Sequence, residues 1–307
     1  MMWTSLLGGR SRYRLASSFT RHVSNLAHVV IKAEGATPTK SVVVLHGILG
    51  NKGNWATFSR RIVTAFPQYQ VIGVDHRAHG DSPSKSPPHH LHACAQDVID
   101  LLESLHVTPD VVVGHSFGGK VALTYLDACQ RQSRPVPRHT WVLDALPGCA
   151  QSDYATRTQD ATFNSTDVVL PKLMEVPMPI ATKKELVATL EAKGFDIGQA
   201  QWMTTNLKPL GDGFVWKMDL PVVALLFKAF LATDCWPILE HPPPNTHIHV
   251  VRAELNKFWT RDVIRRFDTV ATQTHHRVHL HLLEKADHWV HVDNPQGLFA
   301  IMQRSFK

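Results

Sequence analysis

Ser116 stands in Gly114-His115-Ser116-Phe117-Gly118, directly after Val111-Val112-Val113 and directly before the helical run from Lys120 to Ala128. A serine hydroxyl attacks a carbonyl poorly until a base removes its proton, and the base needs a third group to fix its tautomer. Strand, glycine-flanked turn and helix form the context of a nucleophile elbow, which exposes such a serine at the end of a sheet. Large side chains two positions away would collide with the neighbouring strand and helix. Gly114 and Gly118 meet that need, and Gly119 lets the helix approach the sheet. At a helix N-terminus Ser116 also meets outward-pointing N–H groups that favour developing negative charge. The chemistry expected is acyl transfer, provided that a histidine and an acid arrive from elsewhere.

The elements that must deliver them follow from hydrophobic patterning. Residues 27–33, 41–46, 70–75, 110–115, 139–145, 247–253 and 277–284 read as short β-rich strands. Amphipathic stretches at 55–66, 91–105, 120–130, 261–271 and 295–306 lie between or after them. Strands alternating with helices predict an α/β fold with a mostly parallel sheet covered on both faces. Residues 151–235 break the rhythm. They show helical runs and no convincing strand, and they predict a helical cap inserted between two parts of the core, 26–150 and 236–307.

With these elements in view, the chain resembles the α/β-hydrolase superfamily. Residues 45–55, LHGILGNKGNW, look like the His-Gly segment after its third strand. Residues 74–82, VDHRAHGDS, look like its D-x-R-x-H-G-x-S turn, and 286–295, ADHWVHVDNP, look like the segment carrying the catalytic histidine. GHSFGGKVAL, TTNLKP, FVWKMDL and HWVHVDNPQGLFAIM together resemble the α/β-hydrolase domain-containing protein 11 group and its bacterial acyl-ester and acyl-CoA esterase relatives. The resemblance implies a serine esterase or thioesterase without a cofactor. It also implies a mitochondrial setting, because the animal members are mitochondrial.

Twenty histidines compete to be the base. His288 is selected because it follows the last expected strand on a short loop before the C-terminal helix, and because the resemblance marks it. His291 is its nearest rival. The superfamily's usual acid position aligns with Asn256, a neutral residue that can orient an imidazole but cannot neutralise an imidazolium. Asp144, at the end of the strand expected over 139–145 (the superfamily's sixth), is where the bacterial relatives carry the acid. It preserves the order Ser116, Asp144, His288. Glu254 and Asp219 are the alternatives; Asp287 adjoins His288 and should point away. The backbone N–H groups of Phe117, after the nucleophile, and Ile48, after His46-Gly47, are the expected oxyanion donors.

The net charge of +6 is a local matter. Residues 1–32 hold Arg10, Arg12, Arg14, Arg21 and Lys32 and no acid; without these five, 27 basic residues face 26 acidic ones. The chain as a whole therefore gives no nucleic-acid signature. An arginine- and serine-rich, acid-free segment over 1–25 has the composition of an organellar transit peptide, mitochondrial (matrix) with chloroplast as the alternative. No apolar run approaches the roughly 18 residues of a membrane span. Cys94, Cys129, Cys149 and Cys235 have neither metal-ligand nor redox spacing, which fits a reduced compartment. The pairs His247/His249 and His279/His281, with His275 and His276, lack the further ligands of a metal site. In the expected cap, Met174, Met178, Trp202, Met203, Phe214 and Trp216 serve equally as an acyl pocket or as ordinary core.

The sequence thus points to a serine hydrolase acting on a small-molecule ester or thioester. A second reading is a catalytically weak scaffold that binds an acyl ligand or protects a mitochondrial partner enzyme.

Overall fold

The structure is a computed structural model that describes residues 26–149 and 166–307. The expected presequence, residues 1–25, and the start of the expected insertion lie outside the described residues. The first strands are β1 (His28–Ile31), β2 (Lys40–Leu45) and β3 (Tyr69–Val74), with helix α1 (Ala56–Ala65) between the last two. Helix α2 (Leu91–Ser104), strand β4 (Val111–His115), helix α3 (Phe117–Arg131) and strand β5 (His139–Leu143) follow. Each of these eight lies where hydrophobic periodicity places an element.

The segment after β5 holds helices α4 (Thr166–Met174), α5 (Lys183–Ala192) and α6 (Ile197–Met203). It then forms two short strands, β6 (Leu207–Leu210) and β7 (Gly213–Trp216), before helices α7 (Leu220–Ala232) and α8 (Trp236–Glu240). The expectation of a strand-free insertion is corrected here: β6 and β7 pair as an antiparallel hairpin. Four-residue strands, one containing Pro209, carry too little alternation to register as a pattern. The turn signal was present, since Gly211 adopts φ +56° between them. The core then closes with β8 (His247–Ala253), α9 (Arg261–Gln273), β9 (Val278–Leu283), α10 (Val290–Asp293) and α11 (Pro295–Met302).

Seven strands form one sheet in the order β1-β3-β2-β4-β5-β8-β9, and only β1 runs antiparallel. Side-chain alternation divides the core in two. Val43, Leu45, Val112, Val142 and Val250 face the layer containing α2, α3 and α9; Val42, Val44, Val113, Trp141 and Val251 face the layer containing α1 and α11. Because both faces are covered, the central strands read as unbroken apolar runs.

The inserted segment has its own small core of Leu170, Leu173, Leu186, Leu190 and Met203, to which the sheet domain contributes Leu49 and Ala78. Its exit is pinned by Lys120, a fully buried ammonium one turn into α3. Nζ donates to the carbonyls of Phe230 (2.9 Å) and Thr233 (2.8 Å) at the end of α7, and to Gly148 (2.7 Å) beyond β5. Among the described residues no helix is long and apolar enough to cross a membrane.

Candidate active site

The register of the central strands assembles the site. His115 lies opposite Leu143, and Leu143 opposite Val251, so the residues that follow β4, β5 and β8 emerge side by side at one end of the sheet. The N–H of Ser116 donates to the Leu143 carbonyl at 2.9 Å, and that of Asp144 to the Val251 carbonyl at 2.8 Å. The elbow serine and the candidate acid are therefore held on adjacent strand ends by the sheet's own hydrogen bonding.

Ser116 has φ 52° and ψ −115°, a conformation costing on the order of 1–3 kcal/mol that persists only when its surroundings enforce it. The enforcement is visible. A Cβ on Gly114 would stand 2.0 Å from the Gly118 carbonyl oxygen, and one on Gly118 would stand 2.3 Å from that of Leu45. The strand, the turn and the first helical turn pack without room for a methyl. Ser116 is the N-terminal flanking residue of α3, so the Phe117 N–H is among the first four, which have no partner within the helix. The Phe117 side chain turns inward against His76, 5.2 Å between ring centroids.

The loop after β2 passes directly over Ser116. A Cβ on Gly47 would come within 3.4 Å of the Ser116 Cβ and 3.0 Å of His115 Nδ1. Ile48 and Leu49 continue this loop along the pocket wall. Leu49 has φ 62°, an uncommon conformation for a branched side chain, and both of its peptide groups are held. Its N–H donates to His79 Nε2 (3.2 Å), and its carbonyl accepts from the buried Asn206 amide (2.8 Å), which comes from the inserted segment. Asn206 Oδ1 also accepts from Asn51 Nδ2 at 2.9 Å.

Three buried histidines support this loop as neutral rings. Burial pushes His79 down to about 3 and holds His46 and His76 below their ordinary value. Because His46 Nε2 accepts the His76 N–H (3.1 Å), its proton lies on Nδ1, which donates to the Gly47 carbonyl (2.7 Å). The neighbouring turn serves the same end. Asp75 accepts from the Lys52 N–H and Nζ, both at 2.6 Å, and Arg77 Nε donates to Asp97 at 2.6 Å. Both residues act as ties.

Asp144 is the focus of the acid side. Its side chain is fully buried and accepts four hydrogen bonds: Oδ1 from the Ala253 N–H (2.9 Å) and Trp259 Nε1 (2.8 Å), Oδ2 from Asn256 Nδ2 (2.6 Å) and His288 Nδ1 (2.8 Å). Asn256, the neutral residue expected to align with the superfamily's usual acid, thus donates to the candidate acid on the neighbouring strand. Sequence reasoning did not find its role or that of Trp259; an acid and an amide exchanging places on adjacent strands would have been the signal.

The remaining candidates go elsewhere. Glu254 accepts from the Lys285 N–H (2.8 Å). Asp219 caps α7 through Val222 (3.2 Å) and accepts from Ser84 (2.7 Å). Asp287 accepts the His288 N–H (2.8 Å).

His288 is 42% exposed and lines the same pocket as Ser116. Its backbone carbonyl is held by His115 Nε2 at 2.7 Å, and the two rings lie 4.8 Å apart. Burial, with His288 and His291 as neighbours, keeps His115 well below its ordinary value, so it donates as a neutral ring. His291 lines the pocket too, but stacks on Trp55 at 4.0 Å, where burial lowers it to about 4. It is packed as a wall residue.

Phe195, Trp202 and Met203 from the inserted segment complete the apolar side of the pocket. Met178, Phe214 and Trp216 pack in that segment's own core, and Met174 is exposed. The histidines of β8 and β9 pair among themselves: His247 with His279 and His249 with His281, each at 3.2 Å, while His139 reaches His249 at 3.1 Å.

The fold agrees with comparisons to known proteins. A model of the alpha/beta hydrolase family matches residues 42–301. The chain is 38% identical over 275 residues to the sn-1-specific diacylglycerol lipase ABHD11 of Danio rerio, covering 88% of this chain and 79% of that protein. It is 26% identical over 268 residues to esterase YbfF of Escherichia coli, covering 86% and 91%. Among solved structures, a marine microorganism esterase superposes with a TM-score of 0.72 at 20% identity, over 92% of this chain and 99% of that one, a likeness of fold.

Proposed function

The chain belongs to the alpha/beta hydrolase family, and from that membership and the site's geometry we propose that it is a serine hydrolase cleaving carboxylic esters or thioesters. The observation that carries the reading is the 2.8 Å contact between His288 Nδ1 and a buried Asp144, in a pocket that the strained Ser116 also lines. The relatives named esterase and lipase support ester hydrolysis in particular.

In this mechanism Asp144 holds the His288 proton on Nδ1, leaving Nε2 to take the proton of Ser116. The Ser116 oxygen attacks the acyl carbonyl, and the N–H groups of Phe117 and Ile48 stabilise the oxyanion. His288 returns the proton to the departing alcohol or thiol. A water deprotonated by His288 then releases the acyl group and regenerates the serine. The clamp on Leu49 by His79 and Asn206 keeps the Ile48 peptide over the nucleophile. Residues 1–25 are proposed as a mitochondrial presequence on composition, and import of a fluorescent fusion, lost on replacing Arg10, Arg12, Arg14 and Arg21, tests it.

The test of the activity is hydrolysis of p-nitrophenyl and acyl-CoA esters of graded chain length by the chain from about residue 26, beside Ser116→Ala. A fluorophosphonate probe is run in parallel. Turnover and labelling that vanish together in the variant are expected. A folded protein that neither turns over nor labels would replace this reading with that of an acyl-binding scaffold or partner-protecting protein.

A further inference from the structure

Gln199, which lines the pocket over Ser116, carries a buried polar atom for which the proposed chemistry has no use. Helix α6 presents Gln199, Trp202 and Met203 to the pocket, the i, i+3 and i+4 positions of one helical face. Trp202 and Met203 suit an acyl chain. Gln199 does not: its side-chain oxygen Oε1 is buried, and among the described residues no donor reaches it.

The helix is not free to rotate the amide into solvent. Asp196 caps it through the Gln199 N–H at 2.8 Å, Ala200 and Met203 are buried in the inserted segment's core, and Trp202 meets Trp289 edge-on at 4.4 Å. His291, another residue lining that pocket, has its Nδ1 buried with no partner among the described residues. A buried carbonyl-type oxygen is disfavoured unless a donor fills it, and an apolar acyl chain offers none.

We propose that Gln199 is a specificity-determining residue whose amide oxygen accepts a hydrogen bond from an O–H or N–H group of the substrate near the scissile bond. The favoured substrates are then esters or thioesters bearing a hydroxyl or amide group, over plain alkyl esters of the same length. This rests on the reading that the pocket over Ser116 receives an acyl substrate.

The experiment measures binding to the Ser116→Ala protein, in which bound esters persist, through quenching of the pocket tryptophans Trp202 and Trp289. Three matched pairs separate the sources of the donor: 1-monooctanoylglycerol against propyl octanoate, octanoyl-N-acetylcysteamine against S-ethyl thiooctanoate, and propyl 3-hydroxyoctanoate against propyl octanoate. The donor-bearing member of at least one pair should bind about three- to ten-fold more tightly, the range of one neutral hydrogen bond. In Gln199→Leu that ratio should fall to near one, while Gln199→Glu, which keeps acceptor oxygens on a similar frame, should retain it. Equal binding within all three pairs, or a ratio that survives Gln199→Leu, overturns the proposal. Turnover by the protein with Ser116 intact is scored separately, so a preserved binding ratio without turnover would refute hydrolysis and leave the recognition by Gln199 standing.

Discussion

Replacing Asp144 by asparagine changes one atom, and the structure says which consequence follows. The carboxylate accepts from four donors, two on each oxygen. An amide offers one acceptor and one donor, so its NH₂ must face one of the two pairs. Turned toward the Oδ1 site, it would meet the Ala253 N–H and the Trp259 indole N–H, neither of which can become an acceptor. Turned toward the Oδ2 site, it meets the Asn256 amide and His288 Nδ1. There His288 can adapt by moving its proton to Nε2 and accepting at Nδ1. The second orientation is cheaper, and it leaves His288 with a proton where it must have a lone pair.

The variant should therefore fold, losing about 1–3 kcal/mol for the unsatisfied Asn256 contact and the lost charge-assisted bonds. It should lose about 10⁴ in kcat, or roughly 5.5 kcal/mol of transition-state stabilisation. Ester kinetics at neutral pH, urea unfolding and nitrogen NMR of the His288 tautomer measure the three effects. Activity within tenfold of the parent, with His288 still protonated at Nδ1, would refute the reasoning; so would an inactive Glu254→Gln, since the Glu254 carboxylate accepts from the Lys285 N–H and His288 Nδ1 contacts Asp144 instead.

Other outcomes follow from the same contacts. Asn206→Ala frees the Leu49 carbonyl and should lower kcat about tenfold with little change in KM, because the loop over Ser116 loses one of its two ties; a KM effect alone would argue against this. Lys120→Met leaves three buried carbonyls without their shared donor and should cost roughly 2–4 kcal/mol by urea unfolding, whereas an unchanged midpoint would contradict the pinning role. Burial holds His139, His281 and His291 at about 4 and His249 at about 2 in the folded chain, below the ordinary 6.5. The unfolded chain then binds more protons as pH falls, so their contribution is complete above pH 6.5 and declines from there toward 4 and, for His249, toward 2. Melting temperatures at pH 7.5, 6 and 5 should fall in that order, and His249→Phe should flatten the slope; a melting temperature independent of pH would count against it.

Local pattern was enough for much of this molecule. All seven strands of the sheet were legible, the central ones because buried parallel strands must be short apolar runs, and the elbow was legible because Gly114 and Gly118 stand where no side chain fits. Ser116 was named from its strand, turn and helix context, and Asp144 and His288 from strand order and loop position together with the family resemblance. The β6–β7 hairpin escaped notice because four half-exposed residues a side carry almost no periodic signal. Nothing local could pair Asp144 with Asn256 and Trp259, more than a hundred residues away, or bring Asn206 to the loop after β2. Periodicity determines which face of an element is buried. Which of several acids receives the histidine depends on the register of non-adjacent strands and on the donors that three-dimensional packing brings to one carboxylate.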